Sequence, residues 1–177
     1  MHRLFVAIRP PRVLREAVLA ATPDIDGARW QDDDQLHVTL RFVGTVERPL
    51  AEDIAVALGD IRAARFTLSL GPPGRFDRRQ RLDSLWIAAG PADRLAALHR
   101  KVDRVLVRLG LPPEQRAFVP HITLARFGRR GGDPAAFLST PPLAVTAPVT
   151  DFTLYESHLG PDGALYEPIA RYPLHDG

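Results

Sequence analysis

The segment His37-Val38-Thr39-Leu40-Arg41-Phe42-Val43-Gly44 has a close counterpart later in the chain, His121-Ile122-Thr123-Leu124-Ala125-Arg126-Phe127-Gly128. Side chains alternate along a strand, so the histidine and threonine of each segment share one face, and the apolar residues beside them share the other. The duplication predicts two similar lobes, each contributing one motif strand. Two such strands are expected to face each other across a cleft.

The sequence around the two motifs alternates between helical and strand patterns. Apolar stripes with helical spacing predict helices beginning near Pro11 and covering Pro49 to Ile61 and Pro91 to Leu109, with Gly110 as the cap of the last. Short β-rich runs predict strands over residues 3–9, 66–70, 82–89, 143–147, 149–159 and 165–174. This mixture predicts an α+β fold, and we expect residues 1–177 to form one domain of two interleaved lobes.

Two basic segments without a regular pattern, residues 71–81 and 128–134, are predicted to be exposed loops. Their arginines are Arg75, Arg78, Arg79 and Arg81 in the first segment, and Arg129 and Arg130 in the second. Contact with phosphate and a solvated turn are both consistent with such a pattern. The sequence leaves the two alternatives open.

Composition excludes several classes of protein. The chain of 177 residues is 45% hydrophobic and 25% charged, as in globular proteins rather than disordered ones. It has no cysteine, which excludes a disulfide framework and a thiolate metal site. Nothing indicates an oxidising compartment, a secretory signal or a membrane span, so we expect a cytoplasmic protein.

The basic residues are almost all arginine, with Lys101 as the single lysine, and the isoelectric point is about 9.5. The planar guanidinium group suits phosphate because it donates two parallel hydrogen bonds to an oxyanion. A general bias toward arginine codons explains the same composition. Charge therefore does not decide the function.

Histidines 37 and 121 are the candidate catalytic residues. Imidazole titrates near neutral pH, so one ring can be neutral and accept a proton while the other is protonated and donates one. The hydroxyls of Thr39 and Thr123 are suited to donate hydrogen bonds to the oxygens of a phosphate between them. Metal binding is the weaker alternative, because neither motif has a His-x-His or a neighbouring Glu to complete a ligand set.

With these motifs, the chain resembles the 2H phosphoesterases, and within them the RNA 2′,3′-cyclic phosphodiesterases, also called 2′,5′ RNA ligases. Softer matches extend over nearly the whole chain: Arg3-Leu4-Phe5-Val6-Ala7-Ile8, Trp30, Leu85-Trp86, Phe118-Val119-Pro120 and Leu154-Tyr155-Glu156-Ser157-His158-Leu159. The resemblance implies a bilobal α+β fold in which two antiparallel sheets, with helices outside, enclose a central cleft and are related by a pseudo-two-fold repeat.

The resemblance also implies an activity. RNA ending in a 2′,3′-cyclic phosphate, including tRNA fragments, would be opened to a 2′-phosphomonoester without metal or nucleotide cofactor. His121 would take a proton from the attacking water, and His37 would protonate the departing 3′ oxygen. Attack by a 5′-hydroxyl instead of water would give a 2′,5′ linkage. We expect a monomer with no membrane association.

By the same resemblance Thr39 and Thr123 would hold the phosphate, and Phe42 and Arg126 would lie around the terminal base or phosphate. Strict alternation places Phe42 and Arg126 on the face opposite the histidines, so we expect a bulge or a strand end there. A core position is the structural alternative for Phe42. The second motif has Ala125 where the first has Arg41, so the halves are not equivalent.

Two alternatives remain open at the level of sequence. The cleft can belong to an RNA or nucleotide sensor that binds phosphate with little turnover. It can also belong to a 2H phosphodiesterase with a different substrate, such as a tRNA-splicing intermediate, a cyclic ADP-ribose phosphate or a 2′,5′ oligoadenylate.

Overall fold

The fold is built from nine strands and four helices within residues 1–176, the part of the chain that the computed structural model describes. In chain order these are β1 (His2–Ile8), α1 (Arg12–Ala20), β2 (Ala28–Trp30), β3 (Val38–Val46), α2 (Arg48–Ala57), β4 (Phe66–Arg78), β5 (Arg81–Gly90), α3 (Ala92–Arg108), β6 (His121–Phe127), α4 (Ala135–Leu138), β7 (Thr146–Val149), β8 (Asp151–Gly160) and β9 (Gly163–Pro173). The predicted α+β class is confirmed.

All pairings between these strands are antiparallel, in the order β7-β4-β5-β6-β3-β1-β8-β9, with β2 beside β6. The two motif strands, β3 and β6, meet at the centre through one residue pair, Val38 and Ile122. The predicted pair of antiparallel sheets is thus present as two halves of a curled sheet joined at this point.

The helices cover one face of the sheet. Leu14 of α1, Ile54 of α2 and Phe137 of α4 are fully buried in the same hydrophobic cluster as the inward-facing strand residues. Helix α3 contributes Leu95, Leu98, Val102 and Leu106, the stripe predicted from its spacing. Among the described residues, 1–176, no helix lies on the opposite face of the sheet, and this face forms the cleft. No helix within residues 1–176 is both long enough and apolar enough to cross a membrane.

The predicted helices are found with small changes at their ends. Helix α2 ends at Ala57, a tighter 3₁₀ turn follows over Leu58–Asp60, and Ile61, the last residue expected to be helical, is extended. Gly110 follows α3 with a φ of +93°, the left-handed conformation expected of a C-terminal cap. Residues 128–134 have no helix or strand, as predicted.

The prediction that residues 71–81 form a loop is wrong. Residues 71–78 continue β4, and Arg81 begins β5, so only Arg79 and Gln80, both with positive φ, form the turn. Prolines 72 and 73 indicate a loop in the sequence because they cannot donate hydrogen bonds to a sheet. The strand accommodates them through a shift in register between Leu70 and Pro73.

Candidate active site

The two motifs occupy equivalent positions on the central strands. In both, the histidine and threonine are partly buried, and the apolar residues after each are buried. The two motif strands meet at the antiparallel pair Val38 and Ile122, and the side chains of these two residues belong to the buried core. The histidine and threonine on either side of each therefore project together from the opposite face of the sheet, next to this contact.

A β-bulge follows each threonine and changes the face of the residues after it. In β3, Ala7 pairs with Thr39 and Val6 with Arg41, which leaves Leu40 as the additional residue. In β6, Trp86 pairs with Thr123 and Leu85 with Ala125, which leaves Leu124. The expected bulge is confirmed in both motifs. Phe42, which is 50% exposed, and Arg126 thus return to the face that carries the histidines.

Both imidazoles are oriented by the same contact. Nδ1 of His37 lies 2.7 Å from the carbonyl oxygen of Gln35, and Nδ1 of His121 lies 2.6 Å from that of Val119. A carbonyl oxygen only accepts hydrogen bonds, so Nδ1 carries the hydrogen in both rings. In the neutral form, Nε2 of each ring is then the atom available to accept a proton.

Aromatic side chains pack against each histidine. The His37 ring centroid lies 5.1 Å from those of both Phe5 and Tyr166. His121 lies 5.0 Å from Phe76 and 5.6 Å from Trp86. These four aromatic residues restrict the rotation of the imidazoles and limit the access of water to them.

Sequence reasoning did not identify the four aromatic residues as part of the site. Phe76 falls within the segment predicted to be a loop, whereas Phe5 and Trp86 belong to the matched stretches. Trp86 lies flat against β4 where residue 74 is glycine, and a Cβ on Gly74 would lie 2.3 Å from the indole. The glycine at position 74, opposite Trp86 on the neighbouring strand, is the feature of the sequence that could have indicated this packing.

Both histidines favour the neutral form in the ligand-free chain. The pKa of His37 is lowered to about 4, chiefly by burial; the charges of Arg126 and His121 also lower the pKa, and the hydrogen bond to Gln35 raises it. Burial also lowers the pKa of His121, and Arg126 adds to this effect. Arg126 is therefore close enough to act on both rings.

The two arginines that follow the motifs are placed differently. Arg41 is buried, and its Nε lies 2.7 Å from Asp103 of α3, while its NH2 group donates to the carbonyl oxygen of Pro112 at 2.6 Å. It ties β3 to α3 and to the segment leading to the second motif. Ala125, fully buried, takes the equivalent place in β6. Arg41 is thus held by structural contacts at the wall of the cavity beside the motifs, whereas Arg126 is exposed on the face that carries the histidines.

A cavity of about 500 Å³ opens beside the motifs. Its lining combines site residues with aromatic and charged side chains: Thr39, Leu40, Arg41, Phe42, Phe76, Asp77, His99, Glu114, Arg116, Ala117, Phe118, Val119 and His121. His37, Thr123 and Arg126 do not line it. The volume is in the range of small-molecule sites.

The basic segments predicted near residues 75–81 and 129–130 come together at one end of the sheet. Arg78, Arg79, Arg81 and Arg129 line a second cavity of about 460 Å³ there. Arg75 instead pairs with Asp77, with the two groups 2.6 Å apart. The motif histidines do not line this second cavity.

One group of three potential metal ligands occurs within residues 1–176. Ligand atoms of Glu156, His158 and Glu167 lie within 4.8 Å of one another. Glu156 pairs with Leu4, a core residue, so the group lies on the face of the sheet opposite the cleft. Neither motif histidine belongs to it.

Comparisons with known proteins agree with this geometry. An RNA 2′,3′-cyclic phosphodiesterase of Escherichia coli is 31% identical over 177 residues, which cover 98% of this chain and 97% of that protein. The crystal structure of E. coli LigT complexed with 3′-AMP superposes with a TM-score of 0.81 at 29% identity and covers 99% of both chains.

Other relatives are matched over part of their length. An RNA 2′,3′-cyclic phosphodiesterase of Aeropyrum pernix is 40% identical over 96 residues, 54% of each chain. One of Geobacillus stearothermophilus is 28% identical over 96% of this chain but 56% of its own length. This chain therefore spans about half the length of these two relatives. The model of the 2′-5′ RNA ligase superfamily matches residues 10–161. The chain belongs to the 2′-5′ RNA ligase superfamily.

Proposed function

We propose that this protein hydrolyses RNA 2′,3′-cyclic phosphate ends to 2′-phosphomonoesters through acid-base catalysis by His37 and His121. The observation that carries the proposal is the pair of imidazoles held alike by their Nδ1 atoms, on the two motif strands that meet at Val38 and Ile122. Relatives named RNA 2′,3′-cyclic phosphodiesterase support the substrate, and the likeness to LigT with bound 3′-AMP supports a nucleotide in the cleft.

In the proposed reaction, Nε2 of His121 takes a proton from water as the oxygen attacks phosphorus. The bond from phosphorus to the 3′ oxygen breaks, and His37 donates a proton to that oxygen, leaving the phosphate on the 2′ position. Each imidazole ends in the protonation state opposite to its starting one, and exchange with solvent restores both. Both proton transfers are thus supplied by side chains of this chain.

The remaining residues bind the substrate in this scheme. Thr39 and Thr123 donate hydrogen bonds to the two non-bridging oxygens, where negative charge increases as the fifth bond to phosphorus forms. Arg126 neutralises the same group through charge-assisted hydrogen bonds. Phe42, exposed and 6.2 Å from the Phe5 ring, offers a flat apolar surface to the terminal base.

The acid role of His37 requires a change on binding, because the low pKa of His37 keeps the ring neutral in the free chain. A bound phosphate anion stabilises an adjacent imidazolium and also partners Arg126, whose charge otherwise opposes protonation. Substrate binding therefore prepares the acid. The same site would join a 5′-hydroxyl of a second RNA to the 2′-phosphate if that hydroxyl replaced water.

We also propose that the protein acts as a cytoplasmic monomer on RNA ends such as those of tRNA fragments, with both lobes working as one domain. A single chain carries both histidines and both threonines, so a second copy is not needed to complete the site.

The test is incubation with adenosine 2′,3′-cyclic phosphate in excess chelator. We expect catalytic formation of adenosine 2′-phosphate, identified by its separation from the 3′ isomer, at a rate that the chelator does not change. Stoichiometric binding without product would favour the sensor instead. Turnover of a 2′,5′ oligoadenylate or of a cyclic ADP-ribose phosphate at a higher kcat/KM than RNA ends would favour the alternative substrates.

A further inference from the structure

The short strand β2 brings one more arginine to the cleft. β2 pairs with the end of β6, past the point where β3 contacts that strand. Ala28 and Trp30 pack against the helix-covered core, and Trp30 lies 6.3 Å from Phe137 of α4. Because side chains alternate along a strand, Arg29 between them points to the opposite face, which is that of the cleft. Its side chain is exposed.

Arg29 is paired directly with Arg126 across the two strands. Two like charges in directly opposite positions destabilise a sheet. Eight other arginines form an ion pair with a carboxylate, but within residues 1–176 neither Arg29 nor Arg126 does. Such a pair facing a cleft is suited to bind anionic groups that offset the repulsion.

The two arginines are not at the same distance from the histidines. Arg126 lowers the pKa of both imidazoles, whereas Arg29 is not among the charges that act on either ring. Arg126 therefore serves the phosphate between the histidines, and Arg29, its partner on the neighbouring strand, lies further from the two rings. In a nucleotide with a 2′,3′-cyclic phosphate, the next anionic group is the phosphate on the 5′ side of the same ribose.

We propose that Arg29 binds the 5′ phosphate of the terminal nucleotide, so that the site recognises two phosphates on one ribose and prefers an RNA end to a nucleoside cyclic phosphate. This inference rests on the proposed function for the identity of the first phosphate. Arg29 is a specificity residue in this scheme and takes no part in the proton transfers.

The experiment compares Arg29→Gln with the wild type on three substrates. Adenosine 2′,3′-cyclic phosphate lacks a 5′ phosphate, its 5′-phosphorylated form has one, and the dinucleotide ApA with a cyclic end has one as a diester. We expect KM to rise about tenfold for the last two, the effect of one charge-assisted hydrogen bond, with kcat unchanged. For the first substrate we expect no change.

Arg94→Gln is the matched control. Arg94 is exposed on α3, so this substitution removes the same charge from the face away from the cleft. It should leave all three KM values unchanged. The slope of log KM against log salt for the dinucleotide should fall by roughly one in Arg29→Gln only. An equal rise in KM for all three substrates, or no rise for any, would overturn the inference.

Binding measurements separate this inference from the proposed function. By calorimetry, adenosine 2′,5′-bisphosphate should bind about tenfold more weakly to Arg29→Gln than to the wild type, whereas adenosine 2′-phosphate should bind equally to both. This result is expected even if the wild type turned over no cyclic phosphate. Equal loss for both ligands would contradict a 5′ phosphate contact. The melting temperature at low salt should not fall in Arg29→Gln, because the substitution removes a repulsion.

Discussion

The two halves of the sheet carry the same motif on the same backbone, but the residues that follow the motif have different roles in each half. In both, a histidine and a threonine precede a bulge that turns the fifth and sixth residues of the motif. In the β3 half those residues are a buried structural arginine, Arg41, and an exposed aromatic, Phe42. In the β6 half they are a buried alanine and the exposed Arg126. The backbone repeat fixes where the chemistry occurs, and the side chains after the bulge make the halves unequal.

The largest effect should come from removing either histidine. His37→Ala and His121→Ala should each lower kcat/KM by roughly a hundred- to ten-thousandfold, the usual contribution of general acid-base catalysis. His158→Ala, which changes an exposed histidine outside the cleft, is the control and should retain full activity. Full activity in either motif variant would remove the acid-base scheme.

The arginines should show the inequality of the halves most clearly. Arg41→Ala leaves the carboxylate of Asp103 partly buried without its partner, so the free energy of unfolding should fall by about 3 kcal/mol. Arg126→Ala should leave stability unchanged but lower kcat/KM by about a hundredfold. Chemical denaturation and kinetics on both variants measure this. Similar losses of stability in the two variants would contradict separate roles.

Gly74→Ala tests the aromatic wall of the β6 half. The new Cβ would meet the indole of Trp86, which must move away from His121, so stability should fall by about 1–3 kcal/mol and activity with it. Gly59→Ala is the control, because no atom lies within 4 Å of the added Cβ. A wild-type melting temperature and full activity in Gly74→Ala would contradict the close packing of Trp86 against Gly74.

A smaller effect is expected in the pH dependence of stability. His37 has a pKa of about 4 when folded and about 6.5 when unfolded, so the unfolded chain binds the additional proton between these values. The contribution of this group is therefore present above pH 6.5 and is lost as pH falls toward 4. His37→Gln should flatten the decline in melting temperature over that window, and a decline as steep as in wild type would contradict burial of the neutral ring.

The sequence predicted the central part of the site because its signal is local. Alternation along a strand sets His37 and Thr39 on one face, and the bulge is expected only because the resemblance to the family places Phe42 and Arg126 on that face too. The role of Arg41 was not predicted, since its partners Asp103 and Pro112 lie 62 and 71 positions away in the chain. Phe76 was missed because the prolines and glycines of β4 have the local pattern of a loop.

The assignment of acid and base is the central claim and the one that local geometry decides least, because both imidazoles are held alike. The most direct measurement uses adenosine 2′,3′-cyclic phosphate with sulfur in place of the 3′ bridging oxygen, since a thiolate leaves without protonation. We expect this substrate to restore turnover to His37→Ala and not to His121→Ala. Restoration in His121→Ala alone would reverse the two roles, and restoration in neither variant would contradict an acid role for His37.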